Sequence, residues 1–420
     1  MSDTLENTTG GTPTIEATQS VEAASVEVPS YRQRQTVGQL FRTDLGFIPV
    51  LATFIVIVIF FQVISGGLFL SSVNITNLFL QTATYGLLGL GIVLVLLLGE
   101  IDLSIAAVAT FSSVIMADLS ERAGVPAFVA ILAALLTGAL IGAINGFFVA
   151  VLRIPSFIVT LAANIAFSGL VITFLFGQAT LEIANSFIVA IAGSFASYLP
   201  DILGVGLPTL AILLYAGYLV LNYIRRRNAG LRNPSLPLFL ALVIGPIVVV
   251  EGVVIVFENL HGVPYSTALL FALIALFWII LTKTSFGRHI YAVGGNKEAA
   301  RRAGINVVGI QIAVFSLCSL LAAVGGIVEA SRGNSVASQI PAQLLLDPIA
   351  AAVIGGVSLF GGKGSVWSIV LGILIIGSLE NGLALQSIPA DRVLWIEGGV
   401  LLLAVTVDAI LRRLQARTGR

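Results

Sequence analysis

The chain has 420 residues, of which 57% are hydrophobic and 10% are charged, whereas soluble domains carry about 25% charged residues. This composition excludes a water-soluble fold. Basic and acidic residues balance at 21 each, so no basic excess points to a nucleic acid partner. One cysteine and two histidines exclude a disulfide framework and a Cys/His metal site.

The chain begins with a polar segment. Residues 1–30 are rich in Thr, Ser, Glu and Pro and contain no Lys or Arg before Arg32, a composition typical of disorder. We therefore expect residues 1–46 to form a disordered cytoplasmic tail. A membrane domain is predicted over 47–411, followed by a short cytoplasmic tail over 412–420.

Apolar segments follow one another from residue 47 onward. A helix needs roughly 20 apolar residues to cross about 30 Å of hydrocarbon. We predict an all-α, polytopic bundle of about twelve spans, of which the third and tenth are short enough to be tilted, broken or re-entrant. The predicted spans are 47–69, 78–99, 103–118, 126–151, 154–176, 204–223, 236–257, 266–282, 307–330, 346–360, 364–386 and 393–411.

The placement of basic residues gives this topology an orientation. Lys and Arg concentrate on the cytoplasmic side of membrane proteins. With the amino terminus inside, 18 of the 21 basic residues face the cytoplasm, and only Arg122, Arg332 and Arg392 face outward. We therefore expect both termini in the cytoplasm.

Glycines mark close helix contacts. Gly138, Gly142 and Gly146 form a doubled GxxxG face in the fourth span, and such faces let helix backbones approach closely in lipid. Packing within one subunit is the favoured interpretation, and dimerisation is the alternative.

The most informative polar stretch is the loop 283–306, on the predicted cytoplasmic side. Asn296 is an N-cap residue type and Gly304 a C-cap type, so the loop contains a predicted two-turn helix. Small residues would allow that helix to dock closely against a partner, and basic residues flank it. From the residues alone, a docking helix and a loop that only fixes topology remain equally good interpretations. The small residues are Ala299, Ala300 and Ala303, and the basic ones Lys297, Arg301 and Arg302.

Three motifs carry a resemblance to a known family. The pattern Gly-Gly-Asn-x-x-Ala-Ala-x-x-Ala-Gly-Ile at 294–305 is similar to the coupling segment of permeases in the ribose/xylose branch of bacterial ATP-binding-cassette sugar importers. Gly-Glu-Ile-Asp-Leu-Ser at 99–104 and the glycine-rich run 347–365 resemble two further signatures of these permeases. The resemblance covers about residues 47–411. It implies that the ATPase-coupling residues are Gly294, Gly295, Asn296, Ala299, Ala300, Arg301 and Gly304.

The resemblance also implies function and partners. The chain would be a non-catalytic translocation subunit in the bacterial cytoplasmic membrane, working with an ATPase, an extracytoplasmic sugar-binding protein and a second permease copy. A phosphate loop is missing, since Gly364 stands where Ser or Thr should be and position 357 is Val. ATP and magnesium would therefore bind the partner. Spans 6 and 7 look like a pair added to a ten-helix plan, as in xylose permeases, which favours D-xylose as the cargo.

A pentose pathway should be polar and largely uncharged. Thr160, Asn164 and Ser168 lie on one stripe of span 5, and Gln81 and Tyr85 lie in span 2. We predict that these five residues line the sugar pathway. Hydrogen bonds between helices are the competing interpretation for each of them.

Carboxylates inside spans are functional candidates, because burying a charge is costly. Glu329 and Glu380 fall toward the outer ends of their predicted spans, and no carboxylate is expected at the midplane. Glu100 and Asp102 flank the turn between spans 2 and 3, where they either lock an inner gate through Arg partners or brace and cap the next helix.

Two other function classes remain as alternatives. An ion-coupled secondary sugar transporter would need a buried carboxylate or a broken-helix ion site. An intramembrane enzyme would need clustered carboxylates, histidines or metal ligands. Neither class would explain the helix predicted at 296–304.

Overall fold

The computed structural model describes residues 47–193, 197–231, 233–389, 391–396, 398–399, 402 and 406. The tails predicted over 1–46 and 412–420 lie outside the described residues, as does most of the last predicted span. Residues 391–396 are helical. All described residues belong to one structural unit, 46–420.

The described residues are mainly helical, as the composition predicts. Most helix boundaries fall within a few residues of the predicted spans. The helices are α1 Phe47–Ile64, α2 Ser72–Leu97, α3 Ile105–Ala117, α4 Ala127–Ala150, α5 Ser156–Phe174, α6 Ser186–Val189, α7 Asp201–Asn228, α8 Leu236–Glu258, α9 Tyr265–Lys283, α10 Ser285–Gly295, α11 Lys297–Arg302, α12 Val307–Gly333, α13 Gln343–Ile354 and α14 Ser368–Leu385.

Eight helices within the described residues are long and apolar enough to cross a membrane, namely α2, α4, α5, α7, α8, α9, α12 and α14. The apolar parts of α1 and α13 are shorter, and α3 has 13 residues. Eight of the twelve predicted spans therefore meet the length that a simple crossing requires.

The core of the bundle surrounds α2 and α12. In α2, 83% of the most apolar window is buried, whereas the corresponding value is 17% for α7 and 6% for α8. Helix α12 packs against α2, α3 and α4. The pair α7–α8 is thus little buried within the chain, and its interpretation as an addition to a smaller helix plan stays a prediction.

The glycine face of α4 packs within the chain. A methyl group on Gly142 would lie 2.3 Å from the carbonyl oxygen of Phe315, and one on Gly138 would lie 2.6 Å from that of Ser319. Both carbonyls belong to α12. The packing interpretation is confirmed, and the dimerisation alternative is wrong, because α12 of the same chain already occupies this face.

Two predicted spans contain short helices that continue into other conformations. After α2 the chain reverses, so that Ala109 of α3 lies against Gly326, next to the middle of α2. Helix α3 then continues through a π-helical turn, Asp118–Arg122. Near α13, the carbonyl oxygen of Pro348 lies 3.5 Å from a methyl group built on Gly89. The α3 segment thus follows α5 from Thr160 to Phe174, and the α13 segment continues from the strand Ser335–Ala337 to the Gly362 contact with Leu97.

A small hairpin marks one end of the bundle. Strand β1, Thr180–Glu182, pairs antiparallel with β2, Ser335–Ala337. These strands follow α5 and α12 along the chain. We call this end of the bundle the hairpin end.

Candidate functional site

The loop 283–306 folds into two consecutive helices, α10 and α11. The side chain of Asn296 accepts a hydrogen bond from the Ala299 amide at 2.9 Å and so caps α11. At the other end, Gly304 has φ +82°, and the Ile305 amide donates to the carbonyl of Ala300. This is a Schellman ending, which favours glycine. The predicted capped helix is confirmed.

The orientation of α11 places one predicted docking residue, Ala300, inside the chain. Ala300 is 4% exposed and packs into the core of the chain. Ala300 is therefore not on the exposed face of α11, which corrects its placement among the docking residues, and its part in ATPase coupling stays a prediction. Ala299, Arg301 and Ala303 are exposed, and these residues remain available for a partner. Every third or fourth residue of a helix shares a face, but the sequence does not reveal which face turns inward.

The three motifs of the family resemblance meet at one point. The Gly362 amide donates to the Leu97 carbonyl at 2.9 Å. A methyl group on Gly294 would lie 1.8 Å from that carbonyl oxygen and 2.7 Å from the Gly362 nitrogen. A methyl group on Gly361 would lie 2.8 Å from the Gly99 nitrogen. We call these residues, 97–99, 294–295 and 361–362, the junction. Their backbones approach so closely that only glycine fits at Gly294.

A tyrosine ties α10 to the glycine-rich loop. The Tyr291 hydroxyl donates to the Gly364 carbonyl at 2.9 Å. Burial raises the pKa of the Tyr291 phenol above its ordinary value, because the charged form loses hydration. The hydroxyl therefore keeps its proton and remains the donor.

Glu100 and Asp102 have different partners. The Glu100 carboxylate pairs with the Lys297 ammonium and accepts from the Gln311 amide at 2.9 Å. It therefore links α2 to α11 through a lysine, not through the Arg partner considered from the sequence. Asp102 accepts from the Ser104 amide at 2.8 Å and from its hydroxyl at 2.6 Å. These bonds brace the turn that leads into α3.

The five predicted pathway residues fall in two places. Thr160 is fully buried, accepts from the Leu103 amide at 3.0 Å and donates to the Ser156 carbonyl. It braces the segment that follows the junction. Asn164 and Ser168 are half-buried further along α5, and the Ser168 hydroxyl donates to the Asn164 carbonyl at 2.7 Å.

Gln81 and Tyr85 face α14 instead. Gln81 accepts from the Asn381 amide at 3.3 Å, and the Tyr85 hydroxyl lies 3.5 Å from Glu380 Oε1. Tyr85 is 12 residues before Leu97, which is about 18 Å along a helix. Their role as pathway lining together with Asn164 and Ser168 stays a prediction.

Two carboxylates of other helices contact α2. The Thr84 hydroxyl donates to Glu329 at 3.0 Å, and Arg332 pairs with the same carboxylate at 2.7 Å. Thr84 and Tyr85 are in the middle of α2, so Glu329 and Glu380 are near its centre. Glu329 falls near the end of α12, and Asn381, next to Glu380, bonds Asn74 near the start of α2. Both carboxylates therefore contact the first half of the predicted span 78–99, and the absence of a carboxylate at the membrane midplane stays a prediction.

A signal for this cluster was present in the sequence. Glu329 and Arg332 are three residues apart in an apolar helix, a spacing that allows an ion pair on one face. Glu380 is followed directly by Asn381 in another apolar helix. Neither pair reveals from sequence alone that α12 and α14 both pack against α2.

The described residues form a bundle of membrane-length helices with a basic helix pair held on a glycine junction at one end, the architecture of a polytopic membrane protein. A profile of the family described as "Branched-chain amino acid transport system / permease component" matches residues 74–405. The chain therefore belongs to this family of transport permeases.

Individual relatives narrow the comparison. The xylose transport system permease protein XylH of Escherichia coli (strain K12) is 36% identical over 373 residues, covering 88% of this chain and 93% of the relative. The fructose import permease protein FrcC of Rhizobium meliloti is 30% identical over 417 residues, covering 98% of this chain and 99% of the relative. The ribose import permease protein RbsC of Bacillus subtilis (strain 168) is 31% identical over 360 residues, covering 86% of this chain and 91% of the relative. No solved structure matches. The resemblance to the ribose/xylose branch is confirmed.

Proposed function

We propose that this chain is the membrane-spanning subunit of an ATP-driven importer that carries a monosaccharide, D-xylose, into the bacterial cytoplasm. It would act as a homodimer of twelve-span subunits in the cytoplasmic membrane. A separate ATPase would bind ATP and magnesium, and an extracytoplasmic binding protein would deliver the sugar. The chain itself would catalyse no reaction and bind no cofactor.

The junction is the observation that carries this proposal. Helices α10 and α11 present exposed residues on one side, and on the other they contact the end of α2 through Gly294 and through the Glu100–Lys297 pair. A partner that moved α11 would therefore have to move α2 as well. Because α2 is the most buried of the long helices, this displacement would reach the centre of the bundle.

The charges favour a cytoplasmic position for the junction. The loop that packs there carries basic side chains over 283–302, and Lys363 lies beside Gly362. At the opposite, hairpin end, Arg122 donates a hydrogen bond to the Phe174 carbonyl in the last turn of α5. More basic residues therefore lie at the junction than are named at the hairpin end. Positive residues favour the cytoplasmic side, so we assign the junction to the cytoplasm and the hairpin end to the outside. Both termini in the cytoplasm follow from twelve spans.

The substrate assignment has two supports. Of the three relatives named above, XylH has the highest sequence identity to this chain. The α7–α8 pair also matches the enlargement expected of xylose permeases. The family description names branched-chain amino acids, so an amino acid is the substrate class that a test must separate from sugars.

Transport by the reconstituted complex tests the proposal. The chain, its ATPase and its binding protein are placed in proteoliposomes, and ATP-dependent uptake of D-xylose, D-ribose, D-fructose and L-leucine is compared. We expect D-xylose to accumulate fastest. Preference for ribose or fructose would overturn the choice of sugar, and preference for leucine would overturn the substrate class. Accumulation driven by a proton or sodium gradient without ATP would favour a secondary transporter.

A further inference from the structure

Three consecutive arginines end the long helix α7. They occupy positions 225–227, in its last turn, and all three side chains are exposed. A fourth arginine, Arg232, follows in the loop, and the stretch 202–250 contains no Asp, Glu or Lys. We call residues 225–227 the arginine turn. This stretch of the chain thus carries four positive charges and no negative charge.

The arginine turn lies at the same end of the bundle as the junction. The backbone of Tyr198, just before α7, forms a bridge with Pro264, just before α9, so α7 and α9 begin at one end. Helix α8 packs against α7 and returns the chain to the start of α9. Helix α9 leads into α10, which reaches the junction through Gly294. The tip of the α7–α8 pair is therefore at the junction end, which the charges assign to the cytoplasm.

Helix length places the arginine turn beyond the hydrocarbon. Arg225 follows Asp201 by 24 residues, about 36 Å along a helix, whereas the hydrocarbon core of a bilayer is about 30 Å thick. No charged residue interrupts the stretch 202–224. When this apolar stretch spans the bilayer, Asp201 and the arginine turn lie in the two opposite headgroup layers.

The flank of α7 that leads to the arginine turn is apolar and exposed. Ile212 and Ala216 are buried, and α8 is the main packing partner of α7. Leu210, Leu214 and Tyr218 are each more than half exposed, and their spacing of four residues places them on one stripe. This stripe suits lipid acyl chains, and the arginines continue its surface to the depth of the lipid phosphates.

The loop that follows braces the arginine turn. Gly230 has φ +68°, and the amide of the next residue donates to the Arg226 carbonyl at 2.9 Å, so α7 closes with a Schellman ending. The Asn233 side chain donates to the Tyr223 carbonyl at 3.0 Å. The Tyr223 ring packs against Phe239 of α8, with 4.3 Å between the ring centroids. This bracing lowers the entropic cost of holding a ligand at the turn.

A cluster of about four basic residues directly cytoplasmic of a membrane helix attracts anionic lipid headgroups. We propose that the arginine turn binds the phosphodiester headgroup of an anionic phospholipid whose acyl chains lie along α7. The ATPase is the other candidate occupant. A lipid is favoured because α7 packs mainly on α8, whereas the helices proposed to contact the ATPase, α10 and α11, pack on α2, α9 and α12. The inference goes beyond the proposed function, because it concerns a surface that takes no part in sugar binding.

Crosslinking in membranes of defined composition tests the site. The chain, its ATPase and its binding protein are placed in phosphatidylcholine vesicles that contain a small fraction of photoactivatable phosphatidylglycerol, or the same fraction of photoactivatable phosphatidylcholine. We expect the anionic probe to label residues 219–240 about fivefold more than the zwitterionic probe, or better. The attraction of a single arginine to an anionic surface already corresponds to about fivefold in binding. Residues 201–210, at the other end of α7, are the internal control and should show no preference for the anionic probe.

Two triple variants separate charge from other effects. Arg225→Gln, Arg226→Gln and Arg227→Gln together should abolish the preference for the anionic probe. The same three substitutions by lysine keep the charge, are the matched control and should keep the preference. Equal labelling by the two probes in the wild type would overturn the proposal, and this comparison needs no variant to fold.

The variants and the ATPase give further outcomes that would overturn the proposal. One is an unchanged preference in the glutamine variant, and another is a lost preference in the lysine variant. Loss of the anionic labelling when the ATPase is added, with failure of the glutamine variant to bind the ATPase in a pull-down, would assign the arginine turn to the ATPase instead. No step requires sugar transport, so the result is independent of the substrate assignment.

Discussion

The substitution Gly294→Ala tests the junction with the addition of one methyl group. The added carbon would lie 1.8 Å from the Leu97 carbonyl oxygen, whereas ordinary contacts begin at 3.4 Å. The backbones would have to separate by about 1.6 Å, which is the difference between these values. Overpacking of this kind costs typically about 1–3 kcal/mol. It would also displace the Gly362 amide, which lies 2.7 Å from the added carbon.

The neighbouring glycine supplies the control. A methyl group on Gly295 meets no atom within 4 Å, so Gly295→Ala should change stability by less than about 1 kcal/mol. Thermal unfolding of the purified protein measures stability, and the ratio of sugar transported to ATP hydrolysed in proteoliposomes measures coupling. We expect Gly294→Ala to lower both, and Gly295→Ala to leave the unfolding temperature unchanged. Wild-type stability and coupling in Gly294→Ala would refute the account of the junction.

Three further predictions follow from named contacts. Ala300→Glu should lower expression and thermal stability, because the site is buried. Ala303→Glu should leave stability unchanged and block association with the ATPase in a pull-down. The reverse pattern would contradict the orientation of α11. Glu100→Ala should cost about 1–2 kcal/mol in thermal unfolding, since Gln311 loses a buried partner while Lys297 remains partly solvated; an unchanged unfolding temperature would contradict this. Asn164→Leu should weaken xylose uptake without weakening ATPase association, and unchanged uptake kinetics would remove Asn164 from the pathway.

The sequence predicted the local features well, because local chemistry determines them. Asn296 accepts the amide hydrogen bond of an N-cap residue, and Gly304 adopts the positive φ of a helix ending. The long apolar runs became helices with boundaries close to the prediction. The glycine face of α4 packs against a neighbouring helix, as its spacing indicates.

Features that depend on how helices pack were not predictable from the sequence. The direction of Ala300 depends on how α11 sits against the core, and small residues suit both a buried and an exposed face. The contacts of Glu329 and Glu380 with Thr84 and Tyr85 were not predictable, because they depend on how α12 and α14 pack against a different helix, α2.

The predicted pathway residues make different contacts in the fold, and these contacts also depend on how the helices pack. Thr160 and Tyr85 are both polar residues in apolar helices, and sequence alone gave them one function. In the fold, Thr160 braces the segment after the junction, whereas Tyr85 contacts Glu380 about 18 Å further along α2. Only the tertiary arrangement separates a bracing hydroxyl from one that contacts a carboxylate.

The central claim is that a separate ATPase drives transport through the junction. The most direct test of this claim measures uphill accumulation of D-xylose in proteoliposomes that contain the chain and its binding protein. The measurement is made with and without the ATPase. We predict accumulation only when the ATPase and hydrolysable ATP are both present, and its loss in Gly294→Ala. Accumulation at the same rate without the ATPase would contradict the claim.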